Sequence, residues 1–190
     1  MRPLGLEFFD RPAPDVARAL LGQRLESLIG GTRTGGRIVE TEAYLGHDDP
    51  ASHAFRGRRH AGNLSIYGPP GWWYVYRSYG IHWCLNLVTA PEGVGAAVLI
   101  RAIEPDLGLD QIQIRRGGRA SDLLTNGPGK LAQALGIDRS LDGRPMAGSP
   151  VLVLAGEPVP DRMVAVTPRV GISVGKEREL RFVVAARGKQ

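Results

Sequence analysis

The stretch RIVETEAYLG, residues 37–46, decides how the rest of the chain is interpreted. Its alternating pattern is typical of a β-strand, whose side chains point to opposite faces in turn. One face would show Glu40, Glu42 and Tyr44 to a cleft. The opposite face, which would pack on a core, carries Val39, Thr41, Ala43 and Leu45. The pattern therefore predicts a strand that joins a buried apolar face to an acidic and aromatic one.

The composition limits the classes to which the protein can belong. Its 190 residues suit one domain with a sizeable core, and 26 glycines with 14 prolines predict many turns. No run of about 18 apolar residues is present, so no membrane-spanning helix is expected. The N-terminus lacks the apolar core of a signal peptide, and the single cysteine, Cys84, cannot form an internal disulfide. These features indicate a cytoplasmic protein that does not associate with membranes.

The charge of the chain gives a second indication. The formal net charge of +5 favours an anionic partner such as nucleic acid. Many small proteins are basic for unrelated reasons, and net charge bears on association rather than on fold. The charge therefore supports a nucleic-acid partner without identifying one.

Helical and strand patterns are mixed along the chain, which favours an α+β fold. Helices are predicted within 7–22, over 108–116 and over 127–135, and Pro14 and Pro128 suit the first turns of the first and the last of them. Strands are predicted at 23–29, 37–45 and 96–104, within a hairpin at 72–89, and near 151–154, 163–167, 170–174 and 180–185. We predict a single domain over residues 1–190, with a curved, mainly antiparallel sheet surrounded by helices.

Residues 46–71 interrupt this pattern. They are rich in Gly, Pro, Asp and Arg and show no sustained periodicity. A loop of this length inside a compact domain is usually functional. We therefore expect this loop to contribute to a binding site.

Aromatic residues are concentrated in the hairpin. Seven of the 12 Phe, Trp and Tyr residues lie between positions 67 and 83. Strand alternation places Trp72, Tyr74 and Tyr76 on one face. Tyr79 lies at the tip beside a glycine, where it could wedge into a base stack or fold back over the hairpin. The sequence leaves both interpretations open.

Glu40 and Glu42 would lie about 7 Å apart along a strand. A pair of carboxylates near that spacing is compatible with hydrolysis of a glycosidic bond. It is equally compatible with one catalytic acid and one structural acid that pairs with an arginine. Arg37 and Arg101 are candidates for that partner.

The loop after this strand contains His47, Asp48, Asp49 and His53, which could suggest a metal site. Their spacing matches none of the regular zinc patterns, and no cysteine lies nearby. We therefore predict neither a metal ion nor another cofactor.

Taken together, these residues resemble the alkyladenine (3-methyladenine) DNA glycosylase family of mammalian type, which also has bacterial members. Four blocks carry the resemblance. They are ARALLG (17–22), RIVETEAYLG followed by His53, YVYRSYGIHWCLN (74–86), and VLIRAIEP (98–105) with NGPGKLAQALGI (126–137) after it. Their order along most of the chain is far more specific than any single motif.

The resemblance implies a role for each matching residue of the pocket. Glu42 would be the general base that activates a water molecule, and Arg101 would help to hold the water or the glutamate. Tyr44 and Tyr76 would stack on opposite sides of a base flipped out of the duplex, and His53 would contact its edge. Asn86 would line the pocket wall and help to exclude normal guanine.

The resemblance also implies contacts with the duplex. Tyr79 would fill the gap that the flipped base leaves. The residues expected at the wedge and at the DNA backbone are Tyr79, Ile81, His82, Arg58 and Lys130. Many relatives have Met or Tyr after the tip glycine and small residues in the segment after His53, so this chain departs from the family pattern there.

The implied function is base-excision repair. The protein would be a monofunctional glycosylase that acts, as a monomer in the bacterial cytosol or nucleoid, on double-stranded DNA containing damaged purines, and would need no cofactor. It would leave an abasic site without cutting the strand. A non-enzymatic nucleic-acid-binding domain is the main alternative, and a carbohydrate hydrolase that uses Glu40 and Glu42 is another.

Overall fold

The opening stretch forms the centre of the sheet in a computed structural model, which describes residues 1–185. The helices are α1 (Leu6–Phe9), α2 (Ala13–Leu20), α3 (Leu109–Arg115) and α4 (Pro128–Leu135). The strands are β1 (Arg24–Ser27), β2 (Thr34–Tyr44), β3 (Trp73–Ser78), β4 (His82–Thr89), β5 (Ala96–Leu107), β6 (Val151–Leu154), β7 (Val164–Thr167) and β8 (Arg181–Val184). The predicted α+β class is confirmed.

Over the described residues 1–185, eight strands form one sheet, in which six follow the order β3-β4-β5-β2-β1-β6, while β8 pairs with β2 and β7 pairs with β8. All of its pairs are antiparallel. Strand β2 pairs along its length with β5, near its start with β1, and through Glu40, Thr41 and Glu42 with β8. Glu40 and Glu42 therefore lie where β2 is paired with both β5 and β8.

A β-bulge in β2 changes the predicted alternation. The register against β5 shifts on both sides of Glu40, which leaves Val39 unmatched on β2 and Arg101 unmatched on β5. Ile38 is fully buried in the core, whereas Val39 is only half-buried, so the prediction that Val39 packs on the core was wrong. After the bulge, Thr41 and Ala43 are fully buried as predicted. The bulge leaves Glu42 on the face opposite to Ala43.

Two helices cover one face of the sheet. Helix α2 buries Val16, Ala17 and Leu20 against β2 and β5, and Thr41 Oγ1 donates a hydrogen bond to the Ala17 carbonyl at 2.8 Å. Helix α4 packs on β4 and β5. It has a proline in its first turn and ends at Gly136, whose φ of 72° lies in the left-handed region that favours glycine. The main core lies between these helices and the sheet.

The opposite face carries a smaller apolar cluster. Trp73 and Val75 of β3 join the main core, whereas Tyr74 joins the second cluster, with Trp72 and Tyr76 packed against it. The prediction that Trp72, Tyr74 and Tyr76 share a face is therefore confirmed. Both faces of the hairpin are covered, and loop 46–71 contributes Ala54, Ile66 and Tyr67 to the second one.

One predicted strand, at residues 170–174, is absent from the described residues. Residues 170–174 form no strand in the described structure but an irregular segment between β7 and β8. This segment borders the same cleft as Tyr44. None of the helices in residues 1–185 is long and apolar enough to cross a membrane.

Candidate active site

A cleft of about 630 Å³ opens on the sheet face opposite to the main core, bordered by loop 46–71 and by residues 170–174. Seven residues predicted from the sequence line it, namely Tyr44, His53, Arg58, Tyr76, Tyr79, Asn86 and Arg101. Glu42 is fully buried, beneath Tyr44 and Arg101. Ile81, His82 and Lys130 lie outside the lining. The fold thus brings most of the predicted residues together.

Glu42 is held by donors from three different parts of the chain. Its Oε2 accepts a hydrogen bond from the Tyr44 hydroxyl at 2.9 Å and lies 3.3 Å from Arg101 Nη1. Its Oε1 accepts a hydrogen bond from the Val170 backbone N–H at 2.8 Å. An ionised carboxylate can accept about four hydrogen bonds. Three donors therefore fix its orientation and leave capacity at Oε1 for one more, such as a water.

Tyr44 reaches Glu42 because the two side chains lie two residues apart on one strand face. Burial and the adjacent carboxylate of Glu42 raise the pKa of the Tyr44 hydroxyl, while Arg169 and Arg101 oppose that shift. The hydroxyl therefore stays protonated and donates to Glu42 over the whole physiological range.

Glu40 has a different environment from Glu42. Its Oε1 accepts hydrogen bonds from Arg101 Nε and Arg181 Nε, each at 2.7 Å. Burial alone would raise the pKa of Glu40, but the hydrogen bonds from Arg181 and Arg101 outweigh it and hold that pKa below its ordinary value. Arg37, the other candidate partner, lies 3.5 Å from Glu104 instead. Glu40 is therefore a support for Arg101 that is charged at neutral pH.

Arg101 links the two acids. Its Nε binds Glu40 while its Nη1 approaches Glu42. Burial lowers the pKa of the Arg101 guanidinium, but the carboxylates of Glu42 and Glu40 raise it by more. Arg101 thus keeps its positive charge next to the buried Glu42 side chain.

An aromatic wall forms one side of the cleft. The rings of Tyr74 and Tyr76 stack with centroids 5.4 Å apart, and the His53 ring meets Tyr76 edge-on at 4.5 Å. The Tyr74 hydroxyl lies 2.5 Å from His53 Nδ1. Such flat, electron-rich surfaces suit stacking with a nucleobase. Asn86 is buried beside them, where its Nδ2 donates to the Tyr74 carbonyl at 3.1 Å.

The surroundings of His53 favour its neutral form. Burial of the ring and the nearby positive charges of His60 and Arg58 lower the pKa of His53. Since burial raises the pKa of Tyr74, its hydroxyl remains protonated and can donate to Nδ1. That assignment places the remaining imidazole proton on Nε2, where it can serve as a donor to a ligand.

The hairpin tip projects away from the domain. It lies at Tyr79–Ile81 as predicted, and the Tyr79 side chain is 87% exposed. Tyr79 therefore does not fold back over the hairpin. Ile81 and His82 are also exposed, and Gly129 of α4 lies beside His82. Lys130 Nζ binds Asn126 Oδ1 at 2.8 Å.

Comparison with known proteins places this chain. A model of the methylpurine-DNA glycosylase family matches residues 7–188. The chain belongs to the methylpurine-DNA glycosylase family. This membership confirms the resemblance seen in the sequence.

Close relatives of this glycosylase are found in several bacteria. A protein of Salinibacter ruber is 47% identical, over 98% of this chain and 95% of the relative. A protein of Nitrosospira multiformis is 50% identical, over 93% of this chain and 88% of the relative. Both are provisionally named 3-methyladenine DNA glycosylases. The similarity covers nearly the whole length of each protein.

Sequence reasoning missed one part of this glycosylase's cleft. Asp49 was considered only as a metal ligand, and Arg169 was not considered at all. The structure pairs them through two short contacts, Nη1–Oδ2 at 2.5 Å and Nη2–Oδ1 at 2.7 Å. The residue after Arg169 is Val170, which binds Glu42. The two charges lie 120 positions apart, so no local pattern could have revealed the pair.

Proposed function

We propose that this protein is a DNA repair glycosylase that flips alkylated or deaminated purines out of duplex DNA and hydrolyses their N-glycosidic bond. The observation that carries the proposal is a buried carboxylate, Glu42, beneath an aromatic-lined cleft whose rim bears an exposed tyrosine. Family membership gives the class of reaction, and the following steps assign roles to individual residues.

The first step is capture of the duplex. A base inside a duplex is unreachable, so an enzyme that acts on it must rotate it out. The exposed side chains of Tyr79, Ile81 and His82 are suited to enter the duplex and fill the vacated space. Arg58 and Lys130 supply positive charge near the cleft for backbone phosphates.

The second step is selection of the base. The flipped purine would stack between Tyr44 and Tyr76, with His53 and Asn86 at its edges. An alkylated purine that carries positive charge stacks favourably on electron-rich tyrosine rings. Since the polar groups of the pocket are buried, a base that cannot match them leaves them unpaired and is rejected.

The third step is hydrolysis. Glu42 takes a proton from a water molecule, whose oxygen forms a bond to the sugar C1′. The bond from C1′ to the base nitrogen breaks, and its electron pair leaves with the base. The transition state resembles an oxocarbenium ion, and a positively charged lesion departs with little acid assistance. Arg101 holds Glu42 in place.

The product of this reaction is an abasic site in an intact strand. Strand cleavage by glycosylases of the bifunctional type requires an amine nucleophile, and no lysine is among the described residues that line the cleft. Water is therefore the nucleophile that the site supports, which favours a monofunctional enzyme.

Two other functions fit the structure less well. A carbohydrate hydrolase would need a second free acid, but Glu40 is bound to two arginines. A binding module would not need a buried carboxylate at the base of the cleft. Neither alternative agrees with membership of a glycosylase family.

The function can be tested directly. Duplex DNA that contains hypoxanthine or heat-methylated purines is incubated with the protein, and released base and alkali-labile sites are measured. We expect release of free base with the strand intact before alkali treatment. No release at enzyme in large excess over DNA would contradict the proposal.

A further inference from the structure

A buried ion pair lies beneath the cleft, outside the set of residues used in the proposed reaction. Both side chains of the Arg169–Asp49 pair are fully buried. Arg169 Nη1 also donates to the Ala43 carbonyl at 2.9 Å, and its guanidinium lies 4.7 Å from the centre of the Tyr44 ring. Arg169 therefore holds the strand directly after Glu42, since Ala43 and Tyr44 are the next two residues.

Asp49 connects Arg169 to the loop that carries His53. Its Oδ2 accepts a hydrogen bond from the Leu45 N–H at 3.1 Å, and its Oδ1 accepts one from the Ala51 N–H at 3.2 Å. Burial alone would raise the pKa of Asp49, but Arg169 holds that pKa below its ordinary value. The pair thus connects the end of β2, the start of the loop and the segment after β7.

The segment that follows Arg169 depends on this anchor. Residues 170–174 form neither helix nor strand, yet they border the cleft. Their contact with Glu42, the proposed general base, is the Val170 N–H, which donates a hydrogen bond to Oε1 at 2.8 Å. Because a segment without a ladder of backbone hydrogen bonds is held mainly by its anchors, the position of this N–H is set by Arg169.

Stability alone does not account for a pair of this kind. Two charges lose their hydration on burial, and their attraction often does no more than offset that loss. A buried bidentate pair does fix geometry, because the guanidinium fork accepts only one orientation of the carboxylate. The placement of this pair, one residue from a donor to Glu42, favours a role in geometry.

We propose that Arg169 is a positioning residue for the Glu42 base: its ion pair with Asp49 clamps residues 169–174 to β2 and holds the Val170 N–H against the Glu42 carboxylate. This inference rests on the proposed function of Glu42. The clamp has two effects on Glu42. It fixes the direction of the carboxylate, and it keeps a hydrogen-bond donor in place at Glu42 Oε1.

The test uses variants of similar size that break the bidentate Arg169–Asp49 pair. Arg169→Lys keeps the charge but cannot form two parallel hydrogen bonds, and Asp49→Asn keeps the shape but loses the charge. The Arg24–Asp106 pair is a matched control, because it is also bidentate, with contacts of 2.7 and 2.6 Å, but lies outside the cleft. Its control variants are Arg24→Lys and Asp106→Asn.

Single-turnover excision of hypoxanthine is measured with enzyme in saturating excess, together with the Kd for lesion duplex. We expect Arg169→Lys and Asp49→Asn each to lower the rate constant by about 100-fold, the cost of a small misplacement of a reacting group. The Kd should change by less than about threefold, because the misplaced group acts on the bond to be broken and does not bind the duplex. The double variant should be no slower than the slower single variant, because the two residues act as a unit. The control variants should show none of these changes.

A structural readout separates failure of this inference from failure of the proposed function. Hydrogen exchange of the Val170 amide is measured without DNA in the parent protein and in the Arg169→Lys and Asp49→Asn variants. Protection in the parent and its loss in both variants would support the clamp even if the parent released no base. Equal exchange in all three proteins would overturn the clamp. So would rate constants that match those of the control variants, because the pair would then be structural only.

Discussion

The bottom of the cleft and the tip of the aromatic hairpin are built in opposite ways. At the bottom, Glu42 has no exposed surface, and each of its contacts comes from a separately anchored group. At the tip, Tyr79 is 87% exposed and Ile81 66% exposed. The buried region is organised before any ligand arrives, as groups that act on charge in a transition state need to be. At the tip, the exposed side chains of Tyr79 and Ile81 leave their surface free for contact with a binding partner.

In the proposed reaction the two regions act at different steps. Residues at the bottom of the cleft would act after the base has left the duplex, so their effect on rate should not depend on how the base was paired. Residues at the tip would act while the base leaves the stack, where the cost is the energy of unpairing and unstacking. The following predictions sharpen that contrast or break it, from the largest effect to the smallest.

The largest effect is expected for Glu42→Gln. The amide has nearly the same shape but cannot accept a proton, so the single-turnover rate constant should fall by about 1,000-fold, within the usual contribution of a general base. The Kd for lesion duplex should change by less than about threefold. Retained turnover would show that Glu42 is not the general base, and Glu40 would be the next candidate. The contrast between the bottom of the cleft and the hairpin tip would then no longer hold.

The second effect concerns stability at the bottom of the cleft. Glu40→Gln should lower the free energy of unfolding by about 2 kcal/mol at neutral pH, the scale of hydrogen bonds to a charged group. Because Arg181 and Arg101 hold the pKa of Glu40 below its ordinary value, this stability is present above the ordinary glutamate pKa. It is lost as the pH falls through the pKa of the folded state.

Denaturant unfolding of both proteins between neutral and acidic pH measures this difference. The gap between parent and variant should close only in acid. Glu104→Gln is the control, since Glu104 is 67% exposed and lies 3.5 Å from Arg37, and it should change stability by less than about 0.5 kcal/mol. A gap that does not depend on pH would show that the charge of Glu40 is unimportant.

The third effect is at the tip. Tyr79→Ala should raise the Kd for lesion duplex by about tenfold, because stacking of an aromatic side chain on a base contributes about 1–3 kcal/mol. Tyr79→Phe is the matched control and should bind nearly as well, since it keeps the ring. Equilibrium binding by fluorescence anisotropy measures both. An unchanged affinity for Tyr79→Ala would remove the wedge from the proposal.

The smallest effect is expected at Lys130. Lys130→Gln should weaken binding about threefold at moderate salt and reduce the slope of log Kd against log salt concentration by about 0.9, the share of one phosphate contact. Arg162→Gln, an exposed charge outside the cleft lining, should leave the slope unchanged. An equal slope for the Lys130 variant and the parent protein would exclude a phosphate contact.

Much of the cleft could be predicted because its residues follow local patterns. Strand alternation placed Glu42 and Tyr44 on one face and Thr41 and Ala43 on the other, and a hairpin tip was expected at Tyr79. The bulge beside Glu40 could not be predicted, because an extra residue in one strand depends on its pairing with the neighbouring strand rather than on its own pattern. That is why Ile38 rather than Val39 faces the core.

The Arg169–Asp49 pair could not be predicted for a related reason. Its formation depends on tertiary packing that brings the end of β2 next to the segment after β7. Residues 170–174 have alternating apolar residues typical of a strand, but their backbone N–H at Val170 binds a side chain, Glu42, rather than a neighbouring strand. The local pattern was therefore present, while the pairing partner that would make it a strand was not.

The contrast between the two regions is tested most directly by one set of rate constants. Single-turnover excision of hypoxanthine is measured for the parent, Glu42→Gln and Tyr79→Ala, each at saturating enzyme, from duplexes in which hypoxanthine faces cytosine or thymine. The loss caused by Glu42→Gln should be the same for both pairings. The loss caused by Tyr79→Ala should be larger for the more stable pair with cytosine. Equal dependence on pairing for both variants, or turnover by Glu42→Gln, would contradict the account.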